Sequence, residues 1–162
     1  MTRINTIDPK HLADQHLFAE YREIYRVPDA LQKALASKGI SRVLAEIPEE
    51  YTLGTGHVYW AFDKMNWLYE RYQKLVDELM FREYNISQSD PVKFLQFSLE
   101  FCNGFRPSTK DHHVNLERIV SKIDEKPTFY RYLGNKMPST FFTELYNTNY
   151  DYQAGSSSST DR

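Results

Sequence analysis

Threonine follows the initiator methionine in this chain. An initiator Met before a small residue is normally removed, which predicts Thr2 as the N-terminal residue. A free α-amino group has an ordinary pKa of about 7.7–8, well below that of lysine. A sizeable fraction is therefore neutral and nucleophilic near pH 7, able to attack a sugar carbon or a carbonyl and form an imine. Further along, Gln15, His16, Arg22, Glu23 and Arg26 crowd one stretch. Wound at about 100° per residue from Gln15, Arg22 falls near −20°, Arg26 near +20°, Glu23 near 80° and His16 near 100°. The two arginines share a ridge with a carboxylate beside it, on the polar side of an amphipathic helix. Four residues apart with the same sign, they repel on a free helix, which hints at an anionic partner. Taken singly, both features have ordinary readings. Every chain has an N-terminus, and a charged helix face is commonly a solvated one with a surface ion pair.

The elements that must position these groups follow from the chain's punctuation. Thr6-Ile7-Asp8-Pro9 offers a cap and a first-turn proline, predicting a first helix from about Lys10 past Arg26. Ala13, Leu17, Tyr21, Ile24 and Val27 form its apolar arc, and Pro28 should kink or end it. Ala30–Lys38 can resume as helix, with Gly39 as the stop. Ser41–Ile47 is anchored by Val43, Leu44 and Ile47. Leu53–Val58, LGTGHV, reads as a glycine turn feeding the next helix; no GK[ST] follows, so it is not a phosphate-binding P-loop. Asp63–Arg82 is the clearest helix, with Met65, Leu68, Tyr72, Leu75, Val76 and Leu79 on one buried stripe. Trp67 lies off that stripe and is expected to cover another element. Asn85–Pro91 is a loop, and Val92–Phe101 can form a short helix that Gly104 and Pro107 close off. Ser108 or Thr109 caps a helix to about Glu125, with Leu116, Ile119, Val120 and Ile123 inward and Arg118 and Lys122 on the other side. His112-His113 invites a metal reading, but adjacent helical residues point about 100° apart, which argues against it. In Lys126–Gly134 aromatics alternate with a cation; such a segment is equally a core edge or a surface that stacks on bases and holds phosphates. Asn135–Gln153 is aromatic enough to dock, and 154–162, AGSSSSTDR, reads as a flexible tail.

Composition narrows the class. The chain has 162 residues, 41% of them hydrophobic, which predicts a packed core and one domain. Aromatics reach 15%, nearly all Tyr and Phe. One cysteine, Cys102, excludes an internal disulfide and a multi-Cys zinc site. No apolar run reaches the roughly 18 residues of a membrane span, and no apolar signal region opens the chain; the expectation is a cytoplasmic protein away from membranes. Net charge is −2, which counts against a generic nucleic-acid binder. Residues 106–136 nevertheless carry seven cations against four carboxylates, a modest basic excess that predicts weak, salt-sensitive polyanion binding.

Three ordered blocks, together spanning roughly 1–136, carry a resemblance. MTRIN, LADQH, AEYRE and RV open the chain. LGTGHV with Asp63-Lys64 follows. The third, Lys126–Gly134, keeps a P-T-aromatic-Y-K/R-Y-aromatic-G layout. The chain resembles the phage endonuclease V-type pyrimidine-dimer DNA glycosylase/AP lyases. Its departures are Phe129 where the family has Trp, Leu133 where it has Tyr, and Tyr25 where it often has Pro, which favours a straighter first helix.

The resemblance implies an all-α fold: a compact single domain of about three main helices with long loops and the N-terminal segment inserted near the helix faces. It implies a glycosylase/AP lyase domain over 1–136 and a C-terminal extension over 137–162. It implies duplex DNA containing a damaged pyrimidine pair as partner, an opposing adenine extruded from a sharply kinked duplex, a monomer, and no metal or cofactor. On this reading the Thr2 amine attacks the anomeric carbon, the base leaves, an imine joins enzyme to DNA, and β-elimination nicks the strand. Glu23 is the catalytic carboxylate. Arg3, Gln15, His16, Arg22, Arg26, Arg118, Lys122, Phe129, Tyr130, Arg131 and Tyr132 are the DNA-binding set. Two alternatives stay open: the same chemistry on a different damaged base, and a non-catalytic protein that binds damage.

Overall fold

Proline and glycine set the joints of this chain. The computed structural model describes residues 4–153. Asp8 caps a 3-10 turn, Pro9–His11, by accepting from the Lys10 amide. Helix α1 then covers Asp14–Ile24, and α2 covers Val27–Lys38 with Pro28 in its first turn. The first helix, expected from about Lys10 past Arg26, therefore starts only at Asp14 and ends at Ile24, with Val27 already in the next helix. A proline ring at 28 would meet the Ile24 carbonyl inside a continuous helix, whereas at a helix start its missing N–H costs nothing. Tyr25 does not straighten the run; its ring lies 5.3 Å from that of Tyr72, with the Lys93 ammonium 3.6 Å from its centre.

Gly39, at φ 81°, ends α2 and starts α3, Ile40–Glu46. Gly56, at φ 91°, starts α4, His57–Ala61. Both angles favour a residue without a Cβ. Helix α5, Met65–Phe81, buries the whole predicted stripe. Val92–Leu95 and Leu99–Phe101 are 3-10 turns rather than one helix. Helix α6, Thr109–Glu125, opens with a capping box: Asp111 N–H donates to Ser108 Oγ and Ser108 N–H to the Asp111 carboxylate. Strands β1, Arg131–Tyr132, and β2, Asn135–Lys136, pair antiparallel, Arg131 opposite Lys136. Helix α7, Ser139–Tyr150, closes the described chain. Among the described residues this hairpin is the sole sheet, so the fold is all-α as expected.

Contacts cluster into two units. One comprises Ile4 and Phe18–Arg106. Its core joins Ile24, Leu31, Val43 and the α5 stripe to an aromatic group around the buried Trp60. Tyr51, Phe105 and Trp67 all meet Trp60 edge-on, at 4.8, 4.7 and 5.7 Å between ring centres. Trp67 thus covers another element, as its place off the stripe suggested. The other unit comprises Asn5–Leu17 and the residues from Pro107 on. There Leu12, Leu17, Leu116, Ile119, Val120, Ile123, Phe142 and Tyr146 are buried. No helix of the described residues is long and apolar enough to cross a membrane.

Candidate active site

The last turn of α1 and the first of α2 form one cleft. Ala19, Arg22, Glu23, Arg26, Val27, Ala30 and Val58 line a space of about 400 Å³. Arg22 and Glu23 arrive from α1; Arg26 is the residue just before α2. The turn at 25–26, forced by Pro28, therefore keeps the three charged residues of the sequence pattern on one wall. Both arginines are exposed and Glu23 is half-buried. The Arg22 guanidinium lies 5.5 Å from the Phe18 ring centre. A carboxylate on a cleft wall that also carries two arginines can stabilise a cation or take a proton. The exposed guanidiniums can hold phosphate oxygens in paired hydrogen bonds.

Beneath this wall, Glu20 is fully buried and its carboxylate accepts from both Nε and Nη2 of Arg71 on α5, the latter at 2.8 Å. The pair ties the C-terminal half of α1 to α5, one turn before Glu23.

Val58 brings α4 into the same cleft, and the residue before it does something else. His57 is 1% exposed. Its Nδ1 stands 2.6 Å from the Thr52 carbonyl oxygen and must donate to it, leaving Nε2 to accept the Ile4 N–H at 3.0 Å. The Ile4 carbonyl accepts from the Tyr51 hydroxyl at 2.6 Å. Both polar groups of this one backbone unit are thereby held. Thr2 and Arg3, named from the sequence, lie outside the described residues.

The other unit gathers most of the remaining predicted residues around the β1–β2 hairpin. Gln15 bridges its backbone: Nε2 donates to the Phe129 carbonyl at 2.8 Å and Oε1 accepts from the Arg131 N–H at 3.0 Å. Asp14 accepts from the Leu133 and Gly134 amides at 3.2 and 2.8 Å. This carboxylate fixes a turn in which both residues have positive φ, 52° and 81°. Tyr132 donates to the Lys10 carbonyl at 2.7 Å. His16 is buried against Tyr130, ring centres 4.6 Å apart. Burial, and then the Arg118 charge, hold its pKa down at about 4. Its ring is neutral at pH 7, and Nδ1 has no hydrogen-bond partner among the described residues.

The aromatic–cation alternation thus resolves by side. Tyr130 faces inward and is 7% exposed, while Phe129 is 48% exposed and Arg131 is exposed. Lys126 lies over the Phe129 ring at 5.3 Å. Lys122 is exposed, 3.5 Å from Glu125, and Arg118 is half-buried. His112 Nδ1 meets Thr6 Oγ1 at 2.9 Å, and His113 Nε2 donates to the Tyr150 carbonyl at 3.1 Å.

Sequence reasoning named Glu23, Arg22 and Arg26 but missed Glu20, Asp14, Tyr51 and the role of His57. Glu20 left a signal. On the helical wheel it falls at about 140° from Gln15, inside the apolar arc, where a carboxylate must find a buried partner. Tyr51 and His57 left none, because their bonds to Ile4 span about fifty residues.

The family profile described as pyrimidine dimer DNA glycosylase matches residues 1–92. That span holds the whole cleft, Ile4, Tyr51 and His57. It is more than half of the 162 residues, and the chain belongs to the pyrimidine dimer DNA glycosylase family, a family of DNA repair.

Proposed function

We propose that this protein excises pyrimidine dimers and then nicks the strand as an AP lyase, through an imine to the Thr2 amine. The amine nitrogen adds to C1′ of the damaged nucleotide's sugar as the glycosidic bond breaks and the base takes the electron pair. Loss of the nitrogen proton and opening of the sugar ring give the imine. Removal of a C2′ proton then expels the 3′ phosphate oxygen, and water releases the amine. Glu23 stabilises the cationic sugar and carries protons. Arg22 and Arg26 hold the backbone phosphates beside it. Exposed Phe129 and Arg131, with Lys122, supply further DNA contacts, while Gln15, His16 and Tyr130 shape the hairpin that displays them.

What carries this reading is the half-buried Glu23 lining, with two exposed arginines, a cleft of about 400 Å³ within the family-matched span. The test is borohydride trapping of the Met-processed protein on cyclobutane-dimer duplex and on abasic duplex. The expected result is a covalent adduct on both, mapped to Thr2. Glu23→Gln should slow strand cleavage roughly 10²–10⁴-fold and leave duplex binding intact. An adduct on abasic DNA alone would move the target to another modified base. No adduct on either, with Thr2 free by mass spectrometry, would refute the mechanism.

A further inference from the structure

We infer that Tyr51 and His57 are positioning residues for the N-terminal nucleophile, an inference that rests on the amine mechanism above. Their hydroxyl and imidazole fix the carbonyl and the N–H of Ile4, two positions after Thr2 in the chain. A two-residue arm spans at most about 7 Å, so a grip on Ile4 bounds the range of the amine. Holding a reacting group near its target replaces an entropic search, and a misplacement of about 1 Å can cost 10²-fold in rate.

Three features mark this as more than a buried anchor. Both polar groups of Ile4 are taken, each by a side chain rather than by a helix or sheet ladder. The His57 ring is set as an acceptor toward Ile4, because its other nitrogen donates to the Thr52 carbonyl. And His57 opens α4 immediately before Val58, which lines the cleft that holds Glu23. The same helical turn thus holds Ile4 and walls the site. Gly56, at φ 91°, lets α4 begin there.

Tyr51→Phe removes one oxygen and keeps the ring that meets Trp60. The measurement is single-turnover borohydride trapping on saturating abasic duplex, beside the Kd for the same duplex and the far-UV melting curve. We expect trapping to slow roughly ten- to hundredfold with Kd within twofold of wild type. A purely structural role would change the folded fraction, not the saturated rate of folded protein. Trapping at the wild-type rate, or a weakened Kd with the saturated rate intact, would overturn the inference and leave the amine mechanism standing. Absence of an adduct in wild type with Thr2 free would remove both. Should Tyr51→Phe not fold, His57→Gln, which keeps an acceptor, is put through the same comparison with His57→Leu. Faster trapping by Gln than by Leu is expected, and equal rates would overturn the assignment.

Discussion

His16 makes the acid stability of this protein predictable. Burial and the nearby Arg118 charge lower its pKa from 6.5 to about 4. The unfolded chain therefore takes up this proton first as pH falls, and stability attached to His16 decreases with falling pH. The loss begins near pH 6.5, grows down to about pH 4, and is constant below; above pH 6.5 the residue contributes no pH dependence. At pH 5 the unfolded imidazole is almost wholly protonated and the folded one mostly neutral. Integrating that difference from pH 7 gives about 2 kcal/mol. The comparison is urea denaturation of wild type and His16→Gln at pH 7 and pH 5. His16→Gln is destabilised at pH 7, because Gln fills the space against Tyr130 less well. Between the two pH values, however, wild type should lose about 2 kcal/mol more than the variant, other titrating groups being common to both. Parallel losses would refute the reasoning, as would an NMR titration in which the folded His16 ring protonates near pH 6.5. The result also bears on DNA contact: a ring neutral at pH 7 offers a phosphate no cation.

Two further expectations concern the scaffold. Glu20→Ala removes the buried carboxylate that accepts from Arg71 Nε and Nη2 and should destabilise by roughly 3–5 kcal/mol; a loss below about 1 kcal/mol in chemical denaturation would mean that the pair is solvated. Leu133 holds φ 52° in an exposed turn, a conformation that costs a β-carbon-bearing residue roughly 1–2 kcal/mol. Leu133→Asn, which tolerates that region, should raise the melting temperature, and a fall would show that the Leu133 side chain stabilises the hairpin by contact.

What the sequence made legible is what local chemistry decides. The α5 stripe, the Ser108 cap and the Gly39 stop each depend on neighbours within about four residues, and each appears as expected; the Asp8–Pro9 cap opens only a 3-10 turn, and the first α-helix begins later, at Asp14. The joint at Pro28 was legible too, but its consequence was not. One continuous helix was the wrong geometry for Arg22, Glu23 and Arg26, since Arg26 reaches the cleft they share through a turn. Glu20 was readable as an anomaly, a carboxylate in an apolar arc, though its partner was not. Tyr51 and His57 act across the fold on a backbone unit, and no periodicity or spacing encodes that. The Lys126–Gly134 block was ambiguous because alternating aromatics fit both a core edge and an exposed surface. The structure uses both, Tyr130 inward and Phe129 outward.

The family match ends at residue 92, yet a piece of the matched span depends on what lies beyond it. Asn5–Leu17 belong with the residues from Pro107 on, and the bonds are specific. Thr6 accepts from Asn115 on α6. The Tyr150 hydroxyl, on the last turn of α7, accepts from the Asp8 N–H and lies 2.7 Å from His11 Nδ1. Asp14 and Gln15 hold four backbone groups of the hairpin region. Without α6, the hairpin and α7, these bonds would be lost together. The segment that leads from Ile4 into α1 is therefore ordered by the C-terminal third of the chain, while Ile4 itself is held by Tyr51 and His57. Asn5–Leu17 is thus restrained within one unit and Ile4 within the other. A reactive amine at a chain terminus, where fraying is the ordinary outcome, needs such restraint to act at one place on a duplex.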